Sequence, residues 1–253
     1  MNLGLKNNQN QLTGESKHRF GQLRARIEAT LASPAMIVVS SARRGDGKSA
    51  TAFGLAGALA QAKHRVLLVD TNVESPSLGR VHYVAGGPDV DFADVSRFAS
   101  PVAAQRFDGI SFADGRCDRE ISMDSVKVAV ADMRAHFDFI VVDTSPLIGS
   151  DLAVLFSTVA DGTLLTLRMG RMPSRADERT VMTLKRVGAP VLGVLTLTQD
   201  VIKGFTRQRG EIVPAVRIPA RHVTSHHSIE PEVGHGAGEP ARRTVRYESK
   251  ILK

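Results

Sequence analysis

The residues best suited to chemistry in this sequence lie in one ten-residue segment, 40–49, which reads SSARRGDGKS. Glycines let the backbone wrap closely around an anion. Lys48 would bring a positive charge to phosphate oxygens, and the Ser49 hydroxyl would be a ligand for Mg²⁺. The apolar run 35–39 predicts a strand before this segment, and the small-residue pattern 49–62 predicts a helix after it. Strand, glycine turn and helix are the layout of a phosphate-binding P-loop.

The full loop pattern is G-x-x-x-x-G-K-[ST], and Ala42 stands where its first glycine would be. An ordinary glycine turn with a solvated lysine is therefore the alternative to a P-loop, and the flanking strand and helix favour the P-loop. We expect Lys48 to lie exposed on the loop. The candidate nucleotide-binding residues are Arg43, Arg44, Gly45, Asp46, Gly47, Lys48, Ser49 and Ala50.

Two acids each follow a continuous apolar run, Asp70 after 66–69 and Asp143 after 139–142. Such runs are typical of parallel strands buried on both faces, and open α/β sheets bind ligands at the carboxyl ends of their strands. An acid at a strand end can also be a helix cap or half of a structural ion pair. Since both acids accompany the loop, we assign catalytic roles to Lys48, Asp70 and Asp143, and metal binding to Ser49, Asp70 and Asp143.

Predicted strands and helices alternate along the chain, which indicates an α/β fold with a doubly wound, mainly parallel sheet. The predicted helices are 15–32, 49–62, 122–136, 151–159 and 174–187, and the predicted strands are 35–40, 66–70, 109–113, 139–143, 163–167 and 191–197.

Composition divides the 253 residues into three parts. Residues 1–14 are predicted to be disordered, 15–203 to form the nucleotide-binding domain, and 204–253 to form a basic, mostly disordered tail. From residue 203 onward the chain carries ten lysines and arginines against five acids, which is most of its net charge of +7. A solvated tail is the simplest interpretation. The tail could also contact an anionic membrane or an acidic partner, whereas direct binding of nucleic acid is not expected.

Cysteine usage and hydropathy suggest the compartment. Cys117 is the only cysteine, so no internal disulfide can form, which favours a reducing environment. The polar stretch 1–19 lacks the apolar core of a signal peptide, and no run of about 18 apolar residues exists that could span a bilayer. We expect a cytoplasmic protein that could sit peripherally at the inner face of the membrane.

The ordered set of motifs resembles the bacterial tyrosine kinases of capsule and exopolysaccharide synthesis, a branch of the ParA/MinD-like P-loop ATPases. The resemblance runs from Phe20 to Asp200. It implies a deviant Walker A loop that commonly lacks the first glycine, and ATP or ADP with Mg²⁺ as ligands. It also implies a membrane polysaccharide co-polymerase or export protein as partner, and a homo-oligomer. The carrying segments are 45–49, 65–70, 75–78, 137–144, 150–153, 160–162 and 191–194.

The chain departs from that family at positions that matter for catalysis. The usual D-x-D-x-R motif reads DTNVE at 70–74, so Asn72 replaces a carboxylate, and the usual D-T-P-P reads DTSP at 143–146. Leu197 aligns with the asparagine that contacts the base. The helical E-x-x-R-x-x-R oligomerisation motif aligns with His18, Gly21 and Arg24, and instead of a terminal tyrosine cluster the chain has only Tyr83 and Tyr247.

We therefore expect nucleotide binding with slow or degenerate phosphotransfer. A lost general base costs about 10²–10⁴ in rate, whereas the loop and Lys48 can still support binding. Two alternatives stay open. One is a positioning or partition switch of the ParA/MinD type, favoured by Arg43, which falls where those relatives have a lysine that reaches across a dimer. The other is a nucleotide-binding scaffold without turnover.

Overall fold

A computed structural model describes residues 14–72, 92–102, 105–112 and 121–209 of the chain. Within these ranges, seven strands form one sheet in the order β3-β4-β2-β5-β1-β6-β7, and every neighbouring pair is parallel except β3 with β4. The strands are β1 Ala35–Ser40, β2 Val66–Asp70, β3 Ser100–Pro101, β4 Asp108–Ser111, β5 Phe139–Asp143, β6 Gly162–Arg168 and β7 Val191–Leu197.

The described residues also form six α-helices and a short 3₁₀ segment. The α-helices are α1 Gly14–Thr30, α2 Lys48–Gln61, α3 Met123–His136, α4 Asp151–Val159, α5 Arg175–Arg186 and α6 Gln199–Arg209, and the 3₁₀ segment is Phe92–Phe98. All described residues fall within the first of two units of the chain, 1–220; the second, 221–253, lies outside them.

Successive side chains of a strand point to opposite faces of the sheet, so each apolar strand contributes side chains to two hydrophobic cores, one on each face. In β1, Ile37 and Val39 pack in the core under α1, α2 and α6. Met36 and Val38 pack in the opposite core, under α3 and α4. A smaller cluster joins α4 and α5 on that second face. The predicted α/β class, with a doubly wound and mainly parallel sheet, is thereby confirmed.

The N-terminal helix α1 packs directly on α2, the helix that follows the P-loop. A β-carbon on Gly54 would collide with the ring of Phe20, so a glycine is needed where the two helices approach most closely. Ile27 is buried in the same core. At the far end of the pair, His64 Nε2 lies 2.8 Å from Glu28 Oε1. The amphipathic pattern that predicted α1 therefore marks its contact with α2.

Helix α6 was not predicted from the sequence. It begins at Gln199 and continues to Arg209, past the expected end of the nucleotide-binding domain at residue 203. Val201, Ile202 and Phe205 pack with the core on the α2 face. Phe205 follows Ile202 by three residues and Val201 by four, which is a helical pattern visible in the sequence. The three-part division of the chain stays a prediction, because residues 1–13 and 210–253 lie outside the described part.

The described residues contain no helix long and apolar enough to cross a membrane.

Candidate nucleotide-binding site

The loop between β1 and α2 depends on two glycines with left-handed backbone conformations. Gly45 has φ +78° and Gly47 has φ +91°, a region that other residues rarely adopt. Gly47 is constrained a second time, because a β-carbon there would lie 3.2 Å from Leu197 Cδ2. These glycines let the chain turn sharply from the end of β1 into the first turn of α2.

The N-terminus of α2 differs from those of the neighbouring helices. Ser122 Oγ accepts the Ser125 N–H at the start of α3, and Ser150 Oγ accepts the Ala153 N–H at the start of α4. The N-cap of α2 is Gly47, and no side chain caps this end. Because the first four N–H groups of a helix have no acceptor within it, this end offers donors and a partial positive charge to an anion.

Lys48 is buried, which corrects the expectation of an exposed lysine. Its side chain is 5% exposed, and its Nζ donates to Ser41 Oγ at 3.1 Å and to the Arg43 carbonyl at 3.3 Å. Burial lowers the pKa of Lys48, while the charges of Asp143 and Asp46 oppose that shift. The ammonium group is thus held against its own loop, at the open end of α2.

The two predicted acids stand side by side. Asp70 and Asp143 are register partners on β2 and β5, and both are fully buried. Each lies two residues beyond a side chain in the core under α2, Leu68 and Val141 respectively. Since strand side chains alternate with a period of two, both carboxylates lie on the α2 face of the sheet. The structure thus brings Asp143 close enough to Lys48 for their charges to interact.

Asn72 is fixed by contacts at the ends of the same two strands. Ser145 Oγ donates to Asn72 Oδ1 at 3.0 Å, and the Asn72 N–H donates to Asp70 Oδ1 at 2.9 Å. Both Asn72 and Ser145 are departures from the family pattern, and they contact each other. The amide oxygen that replaces the expected carboxylate is therefore bound to the segment that follows Asp143.

The donor set fits Mg²⁺ held partly by phosphate. Within the described ranges, no three His, Cys, Asp or Glu side chains form a group that could hold a metal by themselves. Mg²⁺ usually binds through one or two carboxylates together with substrate phosphates and water, not in a cage made only of protein. Ser49, Asp70 and Asp143 supply one hydroxyl and two carboxylates, which are the hard oxygen ligands that this ion prefers.

Arg171 lies at this edge and was not predicted. It follows β6, the strand next to β1, and its Nε and Nη2 donate to the two oxygens of Asp46 at 3.2 and 2.9 Å. Its Nη1 and Nη2 also donate to Asp177 at 2.8 and 2.6 Å. Hydrogen bonds from Arg171 hold the pKa of Asp177 well below its usual range. Only the sheet order, which puts β6 beside β1, could have pointed to this residue.

The family model of the CobQ/CobB/MinD/ParA nucleotide binding domain matches residues 37–211, from β1 past the end of α6. The chain belongs to this family. The match covers more than half of the chain and includes the loop, both acids and Arg171.

Curated relatives place the chain near one branch of the CobQ/CobB/MinD/ParA family. The tyrosine-protein kinase CpsD of Streptococcus agalactiae is 21% identical over 207 residues, which cover 72% of this chain and 82% of that protein. The succinoglycan biosynthesis transport protein ExoP of Rhizobium meliloti is 27% identical over 175 residues, which cover 65% of this chain and 22% of that protein. The matched region thus spans about a fifth of ExoP.

Solved structures of the family share the fold. The kinase domain of the Escherichia coli tyrosine kinase ETK superposes with a TM-score of 0.55 at 16% identity, over 72% of this chain and 76% of that one. Cobyrinic acid a,c-diamide synthase from Mycobacterium smegmatis, solved with ADP and magnesium, gives 0.52 at 18% identity, over 72% and 86%. These solved structures show the shared fold. The family model and the match to CpsD confirm the resemblance to bacterial tyrosine kinases within the ParA/MinD-like group.

Other positions singled out in the sequence lie elsewhere in this CobQ/CobB/MinD/ParA domain. Arg43 and Arg44 are exposed on the loop. Leu197, at the position of the base-contacting asparagine, is buried and packs against Gly47. On α1, Arg24 Nε lies 3.8 Å from Glu28 Oε2 of the same helix. Glu74, Tyr83, Cys117, Tyr247 and the segment 75–78 lie outside the described residues.

Proposed function

We propose that this chain is an ATP-binding P-loop protein of the bacterial tyrosine-kinase type that acts in exopolysaccharide or capsule biosynthesis or export, with slow phosphotransfer. The carrying observation is the convergence of buried Lys48 and buried Asp143 at the open N-terminus of α2. A cation, an acid and uncapped helix donors at the carboxyl edge of a parallel sheet form a site for a phosphate chain and its metal.

The loop residues 43–50 would hold the phosphates. The backbone N–H groups of the loop and of the first turn of α2 would face the phosphate oxygens, and Lys48 would turn from Ser41 and Arg43 to the β/γ-phosphates. Ser49, Asp70 and Asp143 would hold Mg²⁺, either directly or through water. When bound, the ion neutralises charge that develops on the phosphate oxygens.

Slow phosphotransfer follows from Asn72. An amide offers one oxygen but has no charge and accepts no proton at neutral pH. Asp70 is the remaining candidate base, and its Oδ1 already accepts the Asn72 N–H. Since losing a general base costs about 10²–10⁴ in rate, we expect binding to be nearly intact and turnover to be slow, with Lys48, Asp70 and Asp143 as the catalytic residues.

The biological setting is inferred from the relatives. CpsD is named as a tyrosine-protein kinase, and ExoP as a succinoglycan biosynthesis transport protein. We infer a membrane polysaccharide co-polymerase or export protein as partner, a cytoplasmic location peripheral to the membrane, and a homo-oligomeric state. The basic tail could then contact the anionic membrane surface or an acidic partner.

The test uses the purified full chain with Lys48→Ala beside it. We expect calorimetry to show ATP and ADP binding that requires Mg²⁺. We expect phosphate release to be slow, and phosphotyrosine to be scarce because this sequence has only two tyrosines. Absence of nucleotide binding by the wild type would refute the proposal. Robust tyrosine phosphorylation would show a working kinase, and binding with no phosphate release would identify a scaffold.

A positioning switch of the ParA/MinD type is the second candidate, favoured by the exposure of Arg43 beside the loop. An exposed cation there could reach the phosphates bound by a second copy of the chain. Light scattering with and without ATP separates the two functions: a dimer that forms only with ATP and is lost in Arg43→Ala would support the switch. An oligomeric state independent of nucleotide would count against it.

A further inference from the structure

A buried acid inside a phosphate-binding loop requires an explanation. Asp46 lies between the two left-handed glycines, and its side chain is only 2% exposed. A carboxylate so close to bound phosphates would repel them, since like charges at short range interact strongly away from water. Burying a charge is also costly unless it is paired. Asp46 must therefore contribute something that offsets both effects.

Arg171 offsets both the repulsion between Asp46 and phosphate and the cost of burying the Asp46 charge. Its guanidinium, 9% exposed, contacts both oxygens of Asp46 in a two-point geometry. Such paired contacts fix orientation as well as neutralising charge. The carboxylate of Asp46 is thus bound toward the loop that follows β6.

The hydrogen bonds of Arg171 favour a positioning role over direct contact with phosphate. A guanidinium has five N–H donors. Here Nε binds Asp46, Nη2 binds both Asp46 and Asp177, and Nη1 binds Asp177 and the Met172 carbonyl at 3.3 Å. These contacts use all five donors, so the side chain is committed to the protein.

The far end of this network is anchored in α5. Asp177 lies in the first turn of that helix, and its Oδ2 accepts the N–H and the hydroxyl of Ser174, both at 2.8 Å. Arg171 therefore links the P-loop to the capped N-terminus of a helix on the opposite face of the sheet.

We infer that Arg171 is a positioning residue that braces the P-loop through Asp46, holding the loop in its phosphate-binding shape before any ligand arrives. This role rests on the proposed nucleotide site. The loop needs a brace because glycines on both sides of Asp46 leave its backbone with more freedom than other residues would. A two-point contact to a capped helix removes that freedom, so less ordering is required when phosphate binds.

The first measurement is hydrogen exchange of the loop amides, residues 44–48, in nucleotide-free protein. The variants are Arg171→Gln, which removes the charge and the paired contact, and Arg171→Lys, which keeps the charge but cannot make the two-point contact. The control is Arg175→Gln, which removes an exposed arginine at the start of α5. We expect exchange at the loop to rise about tenfold or more in Arg171→Gln, less in Arg171→Lys, and not in the control.

The second measurement is the affinity for ADP with Mg²⁺ and for inorganic tripolyphosphate, at a temperature where circular dichroism shows each variant folded. We expect both affinities to fall about tenfold in Arg171→Gln and to be unchanged in Arg175→Gln. Asp46→Asn and the double variant Asp46→Asn with Arg171→Gln complete a double-mutant cycle. The changes in binding free energy of the two single variants should not add up to that of the double variant. A residue that only stabilised the fold would lower the melting temperature without changing affinity.

These two measurements test the bracing role of Arg171 separately from the proposed nucleotide-binding function. Unchanged loop exchange or unchanged affinity in folded Arg171→Gln and Arg171→Lys would overturn the brace, even if the wild type binds nucleotide well. A rise in loop exchange together with a wild type that binds neither ligand would refute the proposed function while supporting the brace of the loop. If Arg171→Gln does not fold, Arg171→Lys decides the question by the same two measurements. Asp46→Asn then decides it by loop exchange alone, because removing the carboxylate also removes its repulsion of phosphate.

Discussion

The proposed ligand site at the carboxyl edge of the sheet has two sides, the P-loop side and the side of the strand-end acids, and they are built differently. On the loop side, Lys48 and Asp46 are buried. Lys48 donates to Ser41 and Arg43 of the loop itself, and Asp46 accepts from Arg171 in the segment after β6. On the acid side, Asp70 and Asp143 end adjacent strands, and Asn72 stands where the motif of the resembled bacterial tyrosine kinases has another carboxylate. The loop side keeps its buried charged groups hydrogen-bonded, whereas the acid side has one carboxylate fewer than that motif.

This difference separates binding from chemistry. Holding a phosphate chain depends on donors and cations, which the loop side supplies. Under the proposed function, proton transfer and stabilisation of the transferred phosphoryl group would depend on the carboxylates of the acid side and on the metal ion that they would help to hold. A chain altered on only one side should therefore bind nearly as well as its relatives and turn over more slowly. The predictions below test that separation, beginning with the largest expected effect.

Lys48→Met should remove measurable ATP and ADP binding while the fold survives. The ammonium is the loop's buried cation, and hydrogen bonds to charged groups contribute about 1.5–3 kcal/mol each, so affinity should fall about 100-fold or more. Methionine keeps most of the buried volume. Calorimetry, with circular dichroism to verify folding, gives the result. The matched control is Lys63→Met, just past the other end of α2. Equal nucleotide affinity in Lys48→Met and in the wild type would refute the P-loop assignment.

Asp143→Asn should weaken nucleotide binding in Mg²⁺ by roughly 10- to 100-fold, the equivalent of one charge-assisted contact. In EDTA, the variant and the wild type should bind about equally, because the lost carboxylate acts through the ion. Titrations with and without EDTA measure this, and Asp124→Asn on the exposed face of α3 serves as control. If the nucleotide affinity of the wild type were the same with and without EDTA, the acid side would hold no metal.

Asn72→Asp should raise ATP hydrolysis about tenfold or more, if the missing carboxylate limits turnover. Nucleotide affinity should change little, because the loop side is untouched. Single-turnover hydrolysis and phosphotyrosine mass spectrometry on both proteins are the measurements. Autophosphorylation should stay low in both, since restoring an acid adds no tyrosine. A variant no faster than the wild type would mean that the acid side is slow for another reason.

Asp177→Asn should lower stability at neutral pH by about 1 kcal/mol, the upper range for a partly exposed ion pair. Arg171 lowers the pKa of Asp177 in the folded protein. The contribution is therefore fully present above the unfolded-state pKa of about 3.9 and is lost as pH falls toward the lower folded value. Urea unfolding of both proteins from pH 7 to pH 3 measures the difference, which should be constant above pH 5 and shrink below pH 4. A difference that grows in acid would contradict this assignment.

Local patterns in the sequence were sufficient for most of the fold. Continuous apolar runs predicted β2 and β5 at their observed bounds, because strands covered on both faces cannot carry polar residues in mid-strand. The observed bounds of β7 are also the predicted ones. The two-residue strand β3 has too little sequence to leave a pattern, and α6 was missed because its three apolar residues precede a polar, proline-containing stretch.

The site was only partly predictable, for a physical reason. The loop, Asp70 and Asp143 follow strands whose ends meet at one edge, so topology alone brings them together. The pairing of Asp46 with Arg171 joins residues 125 positions apart and leaves no local pattern. The burial of Lys48 likewise depends on acceptors within the folded loop, which a linear pattern does not reveal.

The hydrogen bond between Ser145 and Asn72 has a consequence for how this site could be restored by mutation. A serine hydroxyl can donate to a carboxylate at position 72 as well as to an amide, and a hydrogen bond to the charged form lowers a carboxyl pKa. Ser145 would therefore weaken, as a base, the carboxylate that Asn72→Asp introduces. Proline, which has no hydroxyl, would not. We expect the two positions to be epistatic: the gain from Asn72→Asp should be larger when Ser145→Pro is already present. The order of substitutions would then decide how much each one contributes to the measured rate.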